Sequence, residues 1–525
     1  MNHLTLVSFT DNLQPARFAR LARRLFVCSV LLFAEAAYSA SGTWISNPVD
    51  NNWNNPVNWS SGTVPGFFDT ATFGASSITD LEITEGSGVA YIFFDPNAEA
   101  FTISALPGVT FEIFESVVNN SGVEQNFVAE SNADDSGIFS FNAGSDANGT
   151  ITGPVTFTQK ARNRDTGYPG FVQILFTGAG DATFHNLGAS VAGGIGGWTN
   201  FFYARTSAEN CTIINEGATA AGAIGGMTQF AVNNPTADNA TLIANGGSNG
   251  GGGGFFAFYN KSTGGTARVE LFGNGYLDIS QRDQGTLTIG SLEGDGIVYL
   301  GRNTLSIGGN AMSTSFSGRL LPGDPNGGSG TGALSKIGTG TLTLTGASVY
   351  TAGTTVSAGT LVVANTTGSA TGTGAVSVTA GTLGGSGIIA GAVTIGTGSG
   401  GGAFLAPAHG GKKQLTLTIQ GSLTFNSDST YTYTFKAKGN RSKIDKVVAN
   451  GVTINSGAMI NLSGTIQGPL TQGTSLTLIK NTAATPISGT FSNLPDGGIV
   501  IVNGNNLQAD YSGGDGNDLT LTVVP

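Results

Sequence analysis

The stretch Leu334-Ser335-Lys336-Ile337-Gly338-Thr339-Gly340-Thr341-Leu342-Thr343-Leu344-Thr345-Gly346 decides the fold, together with its echoes Gly359-Thr360-Leu361-Val362-Val363 and Gly381-Thr382-Leu383-Gly384-Gly385. The three Gly-Thr-Leu triplets start 19 and then 22 residues apart. Val376 with Val378, and Val393 with Ile395, add apolar-polar-apolar triplets, each introduced by Gly-Ala. Every unit therefore supplies two or three very short strands of period two, and none could bury a core alone. A period of about 20 to 30 residues built this way predicts a solenoid, in which inward Leu or Val stacks on its equivalent in the next coil.

A second repeat lies upstream. Asp181-Ala182-Thr183-Phe184-His185-Asn186 recurs as Asn210-Cys211-Thr212-Ile213-Ile214-Asn215 and Asn239-Ala240-Thr241-Leu242-Ile243-Ala244, at 29 residues each time. Gly265-Thr266-Ala267-Arg268-Val269-Glu270-Leu271 continues it 27 residues later, and Phe201, Phe230 and Phe258 keep step in a second strand. Two strands repeating in phase require coils with at least two sheets. Cys211 takes the small buried slot of Ala182 and Ala240 and reads as an inert thiol. His185 falls in a repeat position shared with Ile214 and Ala244, which reads as structural.

Leu334–Gly346, followed by Val349-Tyr350-Thr351-Ala352-Gly353-Thr354-Thr355-Val356-Ser357-Ala358-Gly359-Thr360-Leu361, resembles the autotransporter-associated β-strand repeat, also called the passenger-associated transport repeat. The resemblance is strong over about 80 of the 525 residues. It implies a secreted or surface-displayed right-handed parallel β-helix of the kind found in adhesin-like passengers, and it implies no catalytic residues. An autotransporter passenger is followed by a translocating β-barrel, whereas this sequence stops at Pro525. The expectation is export by another route, or a record cut short where a sorting tail begins.

The totals agree with an all-β solenoid. The 525 residues include 83 Gly and only 10% charged residues, yet 39% are hydrophobic and dispersed in short runs, so the chain folds rather than remaining disordered. The formal charge is −11. An acidic, weakly charged surface argues against nucleic acid and anionic membrane as partners.

In chain order, Arg17, Arg20, Arg23 and Arg24 precede an apolar run from Leu25 to Phe33 and a small-residue stretch to Ala40, so residues 1–40 read as a secretory signal peptide. The run is too short to span a bilayer, and no transmembrane segment is expected after its removal. Residues 41–80 hold Trp44, Trp53 and Trp59 and read as a cap over the open core, with a sugar-stacking platform at Trp53 and Trp59 as the functional alternative. Residues 81–330 are β-helix coils, 331–410 the family repeat, and 411–525 terminal β-rich coils or a β-domain. With roughly 20 coils at about 4.8 Å each, the rod would be on the order of 90 to 100 Å long.

Candidate chemistry is sparse. Gly396-Thr397-Gly398-Ser399-Gly400-Gly401 follows a strand but precedes no helix, so it is no phosphate cradle. Gly513-Gly514-Asp515-Gly516-Asn517-Asp518 resembles one copy of a calcium nonapeptide and reads as a turn, because that site is built from successive copies. For a polysaccharide lyase or hydrolase the candidates are Asp134 with Asp135, and Arg162, Arg164 and Asp165. Lys436, Lys438, Arg441, Lys443 and Lys446 form the basic cluster of the mature chain, read either as a solvated face or as a contact for an anionic glycan or cell-wall polymer. The favoured reading is a non-catalytic, structural or adhesive protein, secreted or on the outer cell surface. It needs no cofactor and no metal. Glycan contact falls at Trp53, Trp59, Lys436, Lys438, Arg441 and Lys443, and its partners are a glycan, a cell-surface polymer or a second copy.

Overall fold

A computed structural model describes residues 40–132, 134–142, 149–164, 168–175, 177–407, 416–438 and 441–525. The expected signal peptide, apart from Ala40, lies outside them, as do Asp165 and His409. Among the described residues the chain is almost entirely β, the one helical element being the single 3-10 turn Pro56–Asn58. Strands such as Thr183–Asn186, Thr212–Asn215 and Thr341–Leu344 alternate half-exposed Thr with fully buried Phe, Ile or Leu. That is what β-branched residues do on a pleated, half-buried surface.

Each coil lays one strand in each sheet. The first sheet has 13 strands and runs from Gly42–Thr43 to Arg319–Leu321. The second runs without a break from Asp80–Ile83 to Met459–Gln467, its neighbours parallel along that path, with Arg441–Ile444 added antiparallel to Ser429–Lys438. An 8-stranded third sheet, from Thr286–Ile289 to Val452–Ile454, starts about two coils before the first sheet ends and continues beyond it. This is a parallel β-helix. The register agrees with the sequence periods: Thr183 pairs with Thr212, Thr241 and Arg268 in turn, and Phe201 with Phe230 and Phe258.

The core is a column of such matches. Phe201, Phe230 and Phe258 stack face on face at 4.8 and 4.6 Å, so each ring is buried by its own equivalents one rung away. Full burial of one such side chain stabilises by about 1.5–3 kcal/mol. Cys211 sits at 0% exposure in the slot of Ala182, Ala240 and Ala267, and burial, with Glu209 nearby, pushes its thiol pKa well up. One run of polar groups inside is matched too. Thr199 Oγ1 donates to Asn186 Oδ1 at 2.9 Å, Asn186 Nδ2 donates to Asn215 Oδ1 at 2.7 Å, and Thr228 Oγ1 donates to Asn215 Oδ1 at 3.0 Å.

The stack is shorter than the expected 20 coils: the second sheet holds about 16 parallel rungs, roughly 70–80 Å of rod. Coils are lengthened by excursions between the second and first sheets. Leu187 and Gly197, Glu216 and Gly226, and Asn245 and Gly254 are each pinched together by a backbone bond, leaving the intervening residues as a loop. Successive loops bond to one another, as in Ala218 N to Gly252 O and Thr219 N to Ala189 O. Glycine is required where they touch, since a Cβ on Gly217 would overlap the backbone of Gly246. The carboxy-terminal end also stops adding coils. Ser475–Asn481, Asp518–Val524, Asn505–Gly513 and Ile499–Val502 pair antiparallel.

Candidate functional site

The amino-terminal tryptophans are core residues. Trp44, Trp53 and Trp59 are 1%, 0% and 2% exposed. Trp59 packs edge-on against Trp44 at 5.3 Å and Trp53 at 4.9 Å, and Trp53 meets Phe111 at 4.9 Å. Trp44 Nε1 donates to Ile78 O and Trp59 Nε1 to Trp53 O. Sugar stacking at Trp53 and Trp59 is therefore corrected. The first rungs offer the rings an apolar end to bury against Phe73 and Phe111, and a buried ring has no face left for a ligand.

The basic cluster lies on a hairpin. Ser429–Lys438 is a ten-residue strand whose inward Tyr431, Tyr433 and Phe435 are buried. Beyond it Arg441–Ile444 folds back antiparallel, setting Lys436 opposite Lys443 and Lys438 opposite Arg441. On its other side the strand pairs with Met459–Gln467 over nine positions, from Thr430↔Met459 to Lys438↔Gln467. Lys436, Lys438 and Lys443 are exposed, beside exposed Asn461, Ser463, Thr465 and Gln467. Asp445, the nearest acid in sequence, is buried and raises the pKa of the inward Tyr433, second to the burial of that ring. Elsewhere on the rod, ion pairs join Lys160 to Glu130, Arg164 to Asp134, and Arg268 to Glu270 and Glu293.

The other candidates are spent on the fold. Asp134 meets Arg164 at 3.7 Å on an exposed turn. His185 pairs in register with Ile214 and, through it, with Ile243 rather than Ala244. Its ring faces outward and meets Glu216 Oε1 at 2.9 Å. The Gly396–Gly401 loop does cradle an anion, but one of its own: Thr397 N, Gly398 N and Gly400 N donate to the Asp428 carboxylate at 3.1, 2.7 and 2.9 Å. Desolvation raises the Asp428 pKa, and these donors outweigh it, so the net shift is downward. Gly514–Asn517 turns one antiparallel strand into the next, with Asp518 Oδ1 accepting from Asn481 N at 2.9 Å. Lys336 is 1% exposed and its Nζ donates to Ile337 O and Gly338 O at 2.5 and 3.0 Å, while burial lowers its pKa to about 8.

Two outward features emerge only once the register is known. On the first sheet, Phe171, Trp198, Met227, Phe255, Tyr276 and Ile297 form one row. Phe255 and Tyr276 stack at 4.8 Å, and Asp278, beside Tyr299 in the neighbouring row, is 7% exposed. Burial raises the Asp278 pKa to about 6, against hydrogen bonds from Ser280. An open depression of about 350 Å³, lined by Ser280, Arg282, Arg302, Asn303 and Asp324 among others, adjoins it. On the third sheet, Thr288, Ser306, Ser335, Thr355, Ser377, Thr394, Thr424 and Thr453 fall in one register: each rung of the 8-stranded sheet carries a hydroxyl there, Ser306 buried at 4% exposure and the six from Ser335 onward partly or fully exposed.

The middle of that row lies in the stretch that resembled a known repeat. Residues 334–363 match the family model described as Passenger-associated-transport-repeat. The repeat covers the strands Ala333–Lys336, Thr341–Leu344, Thr354–Val356 and Thr360–Val363, which alternate between the third and second sheets. Lys336 and its carbonyl partners Ile337 and Gly338 lie within it. Among solved structures, the Haemophilus influenzae Hap adhesin is similar over 88% of this chain and 64% of its own, at 11% identity and a TM-score of 0.30. This chain thus spans less than two thirds of that protein's length. No curated protein sequence matches. Among the described residues no helix is long and apolar enough to cross a membrane.

Proposed function

We propose that this protein is a secreted or cell-surface β-helical solenoid with a structural or adhesive role, which engages its partner through a long repetitive surface and catalyses no reaction. The carrying observation is the hydroxyl row from Ser335 to Thr453, six consecutive rungs of the third sheet, none of them buried. Stacking demands that inward residues match between rungs, but it places no demand on the outward ones. A row that keeps Ser or Thr at each rung offers donors and acceptors at the coil spacing of about 4.8 Å, suited to an extended hydroxyl-rich polymer. The match of residues 334–363 to a repeat of transported passengers supports export to the surface or beyond. The partner is a glycan or cell-surface polymer, with Lys436, Lys438, Arg441 and Lys443 as a further contact, or a second copy of the chain.

The test is a glycan array on the chain beginning at Ser41, beside a reducing-sugar assay on the same polysaccharides. Binding without release of reducing ends is expected. Turnover of any polysaccharide would refute the reading in favour of a lyase or hydrolase, and retention of no polymer would remove the adhesive role.

A further inference from the structure

We infer that the outward face of the first sheet, between Phe171 and Tyr299, binds a neutral polysaccharide lying along the rod. The inference rests on the adhesive reading above and gives it a ligand class and a second face.

The rows follow from the pleat. Thr199 and Phe201 point inward, where they bond Asn186 and stack on Phe230, so Trp198, Asn200 and Phe202 point outward. The parallel register repeats this alternation on each rung. The apolar row from Phe171 to Ile297 therefore runs beside a second row of Gln173, Asn200, Gln229, Ala257, Asp278 and Tyr299, six rungs or roughly 24 Å long. Beyond it a third row holds Leu175, Phe202 and Ala231. The amides of Gln173, Asn200 and Gln229 thus form a polar strip between two apolar ones. The strip is recessed, for Asn200, Ala257 and Asp278 are 0%, 2% and 7% exposed although their positions face outward. Phe171, Phe255, Tyr276 and Tyr299 beside it are partly exposed.

The fold makes little use of this strip. Among the described residues its three amides make one side-chain hydrogen bond, from Gln229 Nε2 to Tyr259 Oη at 3.5 Å. Both amide atoms of Asn200 are buried without a partner, which costs stability. At Asp278 the strip meets the depression of about 350 Å³, where Ser280 N donates to Asp278 Oδ1 at 2.8 Å and Arg302, Asn303 and Asp324 form part of the wall.

The occupant follows from the chemistry. Amides donate and accept together, as sugar hydroxyls do, and partly exposed rings beside them suit the apolar face of a pyranose. Within the three rows the one charged side chain is Asp278, so a polyanion finds no cation there to meet. A linear polymer of uncharged sugars matches strip and rings at once.

The experiment uses the chain from Ser41 with immobilised mannan, dextran and a linear β-glucan as neutral probes and polygalacturonate as the acidic one. The wild-type chain is expected to bind a neutral polymer with little dependence on salt. Gln173→Leu with Gln229→Leu nearly keeps the size of both side chains and removes their amides. It should weaken that binding about tenfold and leave the melting temperature equal or higher. Thr355→Val with Thr394→Val, on the third sheet, should leave binding unchanged. Equal binding by the first-sheet variant, or preferential and salt-sensitive capture of polygalacturonate, would overturn the inference. Self-association that light scattering detects in the wild type and not in the first-sheet variant, with glycan binding intact, would assign the face to a second copy and overturn it as well. Loss confined to the third-sheet variant would overturn it while leaving the adhesive reading standing. Retention of no polysaccharide at all would overturn both.

Discussion

One chemical exchange, hydroxyl for methyl, should change stability in opposite directions on adjacent rungs. In the core, Asn186 and Asn215 each receive a hydroxyl from the threonine thirteen residues later, Thr199 and Thr228. Gln159 occupies the preceding rung in the same register, and the residue thirteen after it is Val172, which pairs with Thr199. Gln159 is 0% exposed and both of its amide atoms lack a partner. Thr199→Val removes the donor that satisfies Asn186 Oδ1 and should cost about 1–3 kcal/mol, the range for orphaning one buried acceptor. Val172→Thr places a hydroxyl where the ladder already uses one, so the gain from pairing Gln159 should offset its desolvation. The expected result lies between neutral and about 1 kcal/mol stabilising. Guanidinium midpoints with unchanged m-values would measure both, and hydrogen exchange at Thr183–Asn186 would localise them. A Val172→Thr destabilisation above about 1 kcal/mol, the ordinary cost of an unpaired core hydroxyl, would refute the ladder argument.

Cys211→Ala should cost under about 1.5 kcal/mol, because equivalent rungs already hold Ala182 and Ala240, and the wild-type thiol should resist maleimide until the chain unfolds. Gly225→Ala puts a Cβ onto the backbone of Gly253 and should cost about 1–3 kcal/mol and open the stacked loops to protease. Gly222→Ala on the same loop has open space and pays only for its φ of +74°, about 1 kcal/mol. Asp278 has a folded pKa raised to about 6, so the folded state holds its proton more tightly. The fold is favoured most below the ordinary carboxyl value and loses that advantage as pH rises through 6. Asp278→Asn should therefore stabilise by about 1–3 kcal/mol at pH 7 and be nearly neutral at pH 4, read from melting temperatures across pH.

What could be read from the sequence follows from what stacking constrains. Inward positions must match their equivalents in size and shape, so Phe201, Phe230 and Phe258, or Ala182, Cys211 and Ala240, repeat visibly and betray both the period and the register. Outward and terminal positions carry no such constraint, and there the reading failed or stayed open. Trp53 and Trp59 suit a cap or a platform equally well by composition. Only the presence of Phe73 and Phe111 beneath them decides, and those residues are up to 58 positions away. For His185 the period of 29 leads through Ile214 to Ile243 rather than Ala244, and the backbone register agrees with the period. Glycine-rich segments announce loops but not that the loops stack, since glycine tolerates close approach and open turns alike. The basic hairpin is the instructive case. Its cations were visible as a cluster, but its cross-strand like-charge pairs exist only through an antiparallel fold-back inside a parallel stack. Clustering alone is what any solvated face shows. The fold-back that sets Lys436 opposite Lys443 is a long-range backbone event, and no local pattern in the sequence announces it.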